Sequence, residues 1–298
     1  MDGDDSTAQT AGPVPLSGID HVSVGVNDLE GARAAWTRLG FALSPRGRHV
    51  GWGTANYTVM FEADYIALLG IVDPSQFVNY VDEALAWGEG IANLAFRTGD
   101  ADALRSVLVE RGIPAAAPHA LHRLVEFPEG EQSLDFRLVE LPRRWTPGLH
   151  SFAFHHMTPN LLRRPEWLAH PNGARGIAEV TVVMEDLDGV VAAYRNLFGE
   201  DAVSGEERRG SVTVRTGNGE LWFVTPKAFP TRHYDREIAD ATPLPRFAAL
   251  TLRVADPRAT SLYLSGQEVS YEVEANGTVV VAPECASGVL LEFAADGA

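Results

Sequence analysis

Residues 18–29 read Gly-Ile-Asp-His-Val-Ser-Val-Gly-Val-Asn-Asp-Leu, an apolar and β-branched run followed by an acidic residue that can cap a helix. Such a run predicts a strand of about eight residues, and the Asn-Asp pair predicts the start of a helix. The same pattern recurs at 90–97, 176–187 and 246–257. Internal repetition of this kind indicates that one supersecondary unit is used four times.

The spacing inside the repeats supports this interpretation. The interval from His21, the fourth residue of the first strand, to Gly40 equals the interval from Asn93 to Gly112. Each of these glycines lies where a helix C-cap is expected. Short β-like runs with Gly-containing turns follow every helix and suit hairpins. The predicted unit is therefore β-α-β-β-β.

A single unit of this kind leaves open sheet edges, which are unstable alone. We therefore predict an α+β fold of four βαβββ modules, paired into two cupped sheets. The two domains are expected at 17–158 and 175–296. A Pro-rich linker is expected at 159–174, and a disordered tail at 1–16.

The composition excludes some function classes. Forty acidic residues against 24 basic ones give a net charge of -16, which repels nucleic acid and anionic membranes. The chain has no apolar run of the ~18–20 residues that a membrane-spanning helix needs. Its first residues lack the basic and apolar regions of a signal peptide. Cys285 is the only cysteine, so no intrachain disulfide can form. These features favour a cytoplasmic protein whose partner is a small molecule.

The run Ile19-Asp20-His21-Val22 followed by Asn27-Asp28-Leu29 resembles the opening of a vicinal-oxygen-chelate module, and Glu185-Asp186-Leu187 repeats part of it. This superfamily includes glyoxalase I, bleomycin- and fosfomycin-resistance proteins and extradiol dioxygenases. Other stretches resemble a less characterised glyoxalase-like group, namely 51–56 and 164–174. The resemblance implies a divalent metal (Mn, Fe, Zn or Ni) in a cup between two modules. It also implies a homodimer. No glycine loop for a nucleotide cofactor is present.

The same resemblance implies metal ligands at the fourth position of the first strand and on the last strand of each module. His21 fits, whereas Ala67 and Asn93 occupy two other ligand places. In the second module the last strand is expected to carry Arg137 near the remaining ligand place. His156, at the end of a further strand, is the expected second ligand, and Glu292 is a third candidate. We expect His21 and His156 to be catalytic. Four residues are expected to contact substrate: Trp52, Tyr57, Asn93 and Arg137.

Two functions remain open at this point. The first is an enzyme, a lyase, isomerase or dioxygenase, acting on an oxygenated carbonyl or aromatic substrate. Its metal would polarise an oxygen as a Lewis acid. The alternative is a metal-free protein that binds and sequesters a metabolite or drug. The missing ligands favour the alternative, and the retained His21 favours the enzyme.

Overall fold

A computed structural model describes residues 14–233 and 243–296. Most of the predicted tail lies outside these ranges. Its last residues are part of the fold, because Val14 is buried and Leu16 packs against the core. Within the described ranges, no helix has the length and apolar character needed to cross a bilayer.

The first eight strands form a closed barrel in the order β1-β4-β3-β2-β6-β7-β8-β5. Their bounds are β1 Ile19–Val26, β2 Gly47–His49, β3 Thr54–Met60, β4 Tyr65–Ile71, β5 Gly90–Arg97, β6 His119–Phe127, β7 Gly130–Leu141 and β8 Ser151–His156. Three helices accompany this sheet: α1 Leu29–Arg38, α2 Val81–Leu85 and α3 Ala101–Glu110.

The other eight strands form an open sheet in the order β10-β11-β12-β9-β13-β16-β15-β14. Their bounds are β9 Ala174–Val183, β10 Val203–Glu206, β11 Ser211–Arg215, β12 Glu220–Val224, β13 Arg246–Val254, β14 Glu272–Val273, β15 Val279–Val281 and β16 Leu290–Ala295. The remaining helices are α4 Pro159–Leu162, α5 Pro165–Leu168, α6 Val190–Phe198 and α7 Pro257–Gly266.

The predicted β-α-β-β-β unit is confirmed four times. In each unit the first strand pairs in parallel with the last, as in β1 with β4 and β13 with β16. One detail differs from the prediction. The last strand of the second unit is β8, so the earlier strand that carries Arg137 is an inner member of that unit.

The helix ends follow from local chemistry. The side chain of Asp28 caps α1 by accepting from the N–H groups of Glu30 and Gly31, at 3.1 and 3.0 Å. Asp100 and Asp256 cap α3 and α7 in the same way. Gly40 follows α1 with a φ of 90°, a conformation that disfavours side chains.

The segment between the sheets is tied closely to the barrel. The N–H of Ala42 donates to Nδ1 of His170 at 3.1 Å, and Nε2 of His170 donates to the carbonyl oxygen of Met60 at 2.9 Å. The Asn172 side chain bonds the Leu39 carbonyl oxygen at 2.9 Å. This linker therefore holds α1 and the second sheet together. One apolar cluster continues across both sheets, and a separate cluster fills the barrel.

Candidate functional site

The inner wall of the barrel is set by strand alternation. On β6, Leu121, Arg123 and Val125 face inward, and on β8, Phe152 and Phe154 do so. Residues two apart on a strand share a face. His21 and His156 occupy the same inner faces of β1 and β8, so the barrel brings these two predicted residues together.

A buried carboxylate links the two histidines. Asp20 is fully buried, and its Oδ1 lies 2.8 Å from Nδ1 of His21. Its Oδ2 lies 2.8 Å from Nε2 of His156 and 3.4 Å from Nε of Arg97. A register shift between Ile19 and His21 on β1 accompanies this placement of Asp20. A bulge of this kind re-aims a side chain that strict alternation would send to the other face.

The charges of this cluster are fixed by its surroundings. Burial alone would raise the pKa of Asp20, but the charge and hydrogen bonds of His156 and His21 hold it well below its usual value. Burial lowers the pKa of His21, against the opposing effect of Asp20. A carboxylate only accepts hydrogen bonds, so His21 carries its proton on Nδ1 and donates to Asp20. The Nε2 atom of neutral His21 is then an unprotonated base.

Aromatic rings hold the His21 imidazole in place. Tyr65 stacks on it with centroids 4.4 Å apart, and Phe152 and Phe154 contact it edge-on at 5.8 and 5.0 Å. The described residues offer no hydrogen-bond partner to Nε2. Nδ1 of His156 is likewise buried and unpartnered.

A small cavity of about 40 Å³ lies beside His21 inside the barrel. Its lining includes His49, Trp52, Asn56 and Arg123. Burial and the nearby charge of Arg123 lower the pKa of His49 to about 3, so this ring is neutral at pH 7. Nδ1 of His49 is hydrogen-bonded to Oγ1 of Thr54 at 2.8 Å.

The four predicted substrate contacts divide into two pairs. Trp52 lines the cavity. Asn93 is fully buried with both amide atoms unpartnered, and it shares a face of β5 with Ala95, which packs inside the barrel. Tyr57 faces the outside of the barrel, where its hydroxyl donates to Glu30 at 2.9 Å. Arg137 also faces outward and forms an ion pair with Asp102 on α3. The structure does not bring these last two side chains to His21.

Several polar residues of the barrel are not predicted as site residues from the sequence, among them Asp20, His49, Asn56 and Arg123. The signal for Arg123 is present in the sequence, because it lies among alternating apolar residues that all face inward. Asp20 has no comparable signal, since the bulge that turns it inward arises from pairing with β5.

Glu292 lies on the second sheet, away from the two histidines. It accepts from Nδ1 of His233 and from Oγ1 of Thr251, each at 2.8 Å. Glu179 lies on β9, which is separated from the strand of Glu292 by β13, and it pairs with Arg232 at 2.5 Å. Burial raises the pKa of Glu179, and Glu292 adds to this, whereas Arg232 opposes it. These groups line a larger cavity of about 1630 Å³.

The donors present do not fit the divalent metal that the resemblance implies. In the barrel, Ala67 and the buried amide of Asn93 stand at two of the expected ligand places, and His156 is turned to Asp20. In the second cavity, His233 and Glu292 bond each other. No group of three or more His, Cys, Asp or Glu side chains in 14–233 and 243–296 is arranged to hold a metal ion.

Comparisons with known proteins agree with this fold. Several solved structures share it at low sequence identity. A hypothetical protein from Staphylococcus aureus has a TM-score of 0.66 at 14% identity, covering 94% of this chain and 99% of that one. A triple mutant of 4-hydroxymandelate synthase from Streptomyces coelicolor has a TM-score of 0.59 at 13% identity, covering 94% and 93%.

A xylose isomerase-like TIM barrel/4-hydroxyphenylpyruvate dioxygenase fusion protein has a TM-score of 0.55 at 16% identity. The match covers 95% of this chain and 50% of the fusion protein. No curated protein sequence matches this chain. The family model described as a glyoxalase-like domain matches residues 19–198, more than half of the chain. The chain therefore belongs to the glyoxalase-like family of the vicinal-oxygen-chelate superfamily.

Proposed function

We propose that this protein is an enzyme acting on a small oxygenated molecule, a carbonyl or aromatic compound, that binds inside the barrel beside His21. One observation carries the proposal: His21 donates Nδ1–H to the buried Asp20 and leaves Nε2 free at a cavity. A histidine oriented by a carboxylate is a common general base, because the carboxylate fixes the tautomer and stabilises the imidazolium that forms.

The reaction that follows from this geometry is a proton transfer. Nε2 of His21 takes a proton from a substrate carbon next to a carbonyl, or from a hydroxyl group. Asp20 then stabilises the imidazolium, and the same proton is returned at a second position. An isomerase or a lyase needs only this chemistry. Since the donors do not fit a metal, no step is assigned to one.

The barrel also supplies a dry surrounding for the reaction. Tyr65, Phe152 and Phe154 enclose the ring of His21 and keep it from turning. Water exclusion strengthens the electrostatic effect of Asp20 on the imidazole. Trp52 is partly exposed and stands in the cavity wall, so a substrate larger than the cavity has to displace it.

Hydrogen–deuterium exchange tests the proposal without knowledge of the product. A panel of small ketones, aldehydes and 2-oxo acids is incubated with the protein in D₂O and followed by proton NMR. We expect exchange next to the carbonyl in at least one compound. His21→Gln should slow it by roughly 10²–10⁴-fold, the usual contribution of a general base. The control is His122→Gln, since His122 pairs with Asp135 on the outer face. Equal exchange by wild type and His21→Gln would end the proposal.

The metal-free binding protein remains the second candidate. The small cavity and the residues Ala67 and Asn93 at expected ligand places favour it. Tight binding of a panel compound with no exchange in any compound would support it. Metal analysis adds a separate check. We expect the divalent metal content of purified protein to be unchanged in His21→Ala, whereas a metal held by His21 would be lost.

A further inference from the structure

Arg123 is a buried cation without a counterion in the described part of the chain. Only 3% of its surface is exposed, and it points into the barrel from β6. Its Nε atom has no hydrogen-bond partner. No carboxylate of the described residues forms an ion pair with it. Arginine is rarely buried unless it is paired, because removing its charge from water is costly.

The neighbours of Arg123 do not neutralise it. His49 and His21 are both neutral at pH 7, and Tyr65 is protonated because burial raises its pKa well above the usual value. The buried carboxylate of the barrel, Asp20, is already shared by His21, His156 and Arg97. Burial lowers the pKa of Arg123 to about 10, which leaves it charged at pH 7.

The lack of a side chain at Gly47 lets Arg123 and Asn56 lie close against β2. A Cβ atom at Gly47 would lie 2.7 Å from Nε of Arg123 and 2.9 Å from Oδ1 of Asn56. The Oδ1 atom of Asn56 is also buried and unpartnered. This amide oxygen only accepts hydrogen bonds and cannot bond a carboxylate, so Arg123 is the group of this pair that can bind an anion.

The size of the cavity limits what fits there. Its volume of about 40 Å³ corresponds to roughly three water positions at ~10–15 Å³ each. A carboxylate group has three heavy atoms and matches the planar fork of a guanidinium. We propose that Arg123, inside the barrel, is the binding site for the carboxylate of a small organic acid. Resting on the proposed function, this makes the substrate a carboxylic acid whose oxygenated carbon faces His21.

Binding of acetate tests the site without turnover. The thermal midpoint of the full chain is measured with sodium acetate, with sodium chloride at equal ionic strength, and with acetamide as the neutral analogue. We expect acetate alone to raise it. The dissociation constant for acetate should rise by roughly tenfold to hundredfold in Arg123→Met, the range expected for hydrogen bonds to a charged group. Arg48→Met is the control, since Arg48 pairs with Glu131 outside the barrel.

A second measurement covers the case in which Arg123→Met does not fold. In wild type, acetate should shift the indole N–H resonance of Trp52, and Arg123→Lys should weaken this response because lysine lacks the planar fork. Equal responses to acetate, chloride and acetamide would overturn the assignment. A normal acetate response in Arg123→Met would overturn it as well.

The two proposals fail separately. His21→Gln should keep the acetate response, because its Nε2 is needed for proton transfer and not for the carboxylate. Acetate binding without any deuterium exchange would refute the proposed reaction and support the anion site. Deuterium exchange that is unchanged in Arg123→Met would support the proposed reaction and refute the anion site.

Discussion

Replacement of Asp20 by Asn tests how strongly the barrel depends on its buried charge cluster. Two histidine N–H groups and Nε of Arg97 converge on this carboxylate. The side-chain oxygen of asparagine is neutral and can accept only some of these hydrogen bonds. Loss of one partner from a buried ion pair costs about 3–5 kcal/mol. We therefore expect Asp20→Asn to lower the free energy of unfolding by about 3–5 kcal/mol at pH 7.

The effect should depend on pH in a defined direction. The pKa of Asp20 in the folded protein lies below the ordinary value of 3.8. Its stabilising contribution is therefore present above pH 3.8 and is lost as the pH falls below that value. The difference between wild type and Asp20→Asn should narrow on acidification.

Urea unfolding followed by tryptophan fluorescence measures the free energy of unfolding at pH 7 and its dependence on pH. The matched control is Asp135→Asn, since Asp135 also contacts a histidine Nδ1 at 2.8 Å but on the exposed face. An exposed pair contributes about 0.2–1 kcal/mol. If Asp20→Asn and Asp135→Asn had equal effects, or if the Asp20→Asn difference did not change below pH 4, the account of the cluster would be wrong.

Three further predictions concern residues outside the cluster. Burial raises the pKa of Asp64 to about 6 from 3.8, so the folded state binds this proton more tightly than the unfolded state. In urea unfolding, the free energy of unfolding of wild type relative to Asp64→Asn should therefore fall by about 3 kcal/mol between pH 4 and 7, and a constant difference would contradict this. Gly40→Ala should lower the free energy of unfolding by about 1–3 kcal/mol in the same assay, because the added Cβ would lie 2.5 Å from Cε1 of Tyr263. Gly112→Ala is the control, since Gly112 also has a positive φ, of 74°, but an added Cβ there meets no atom within 4 Å; equal losses of stability in the two variants would refute the contact argument. Arg137→Ala should leave the deuterium exchange unchanged, because its side chain lies outside the barrel, and a slowed reaction would place it at the site.

The fold could be predicted from sequence because its signals are local. Each strand run, such as Ile19–Val26, is followed by a helix, and this order repeats four times. An aspartate such as Asp28 caps the helix in three units, whereas α6 follows Gly189 and has no side-chain cap. The site was harder to predict. Both faces of β3 are buried, so the sequence around Tyr57 contains no alternation that says which side is inside.

The remaining differences depend on pairing between distant strands. The sequence predicts Arg137 on the last strand of its unit, but the strand that pairs with β5 as the last of the unit is β8. Asp20 lies at the register shift of β1 against β5, and a shift of this kind depends on strand pairing that the local sequence does not reveal. Arg123 could have been found, since the alternating apolar residues around it already indicate an inward position.

The protonation state of His21 in solution decides whether this residue can act as the base. Nitrogen-15 chemical shifts of the imidazole, assigned with His21→Gln, distinguish the tautomers. We expect neutral His21 at pH 7, with the proton on Nδ1 and a free Nε2. A proton on Nε2, or a fully protonated ring at pH 7, would contradict the proposed role of His21 as a base held by Asp20.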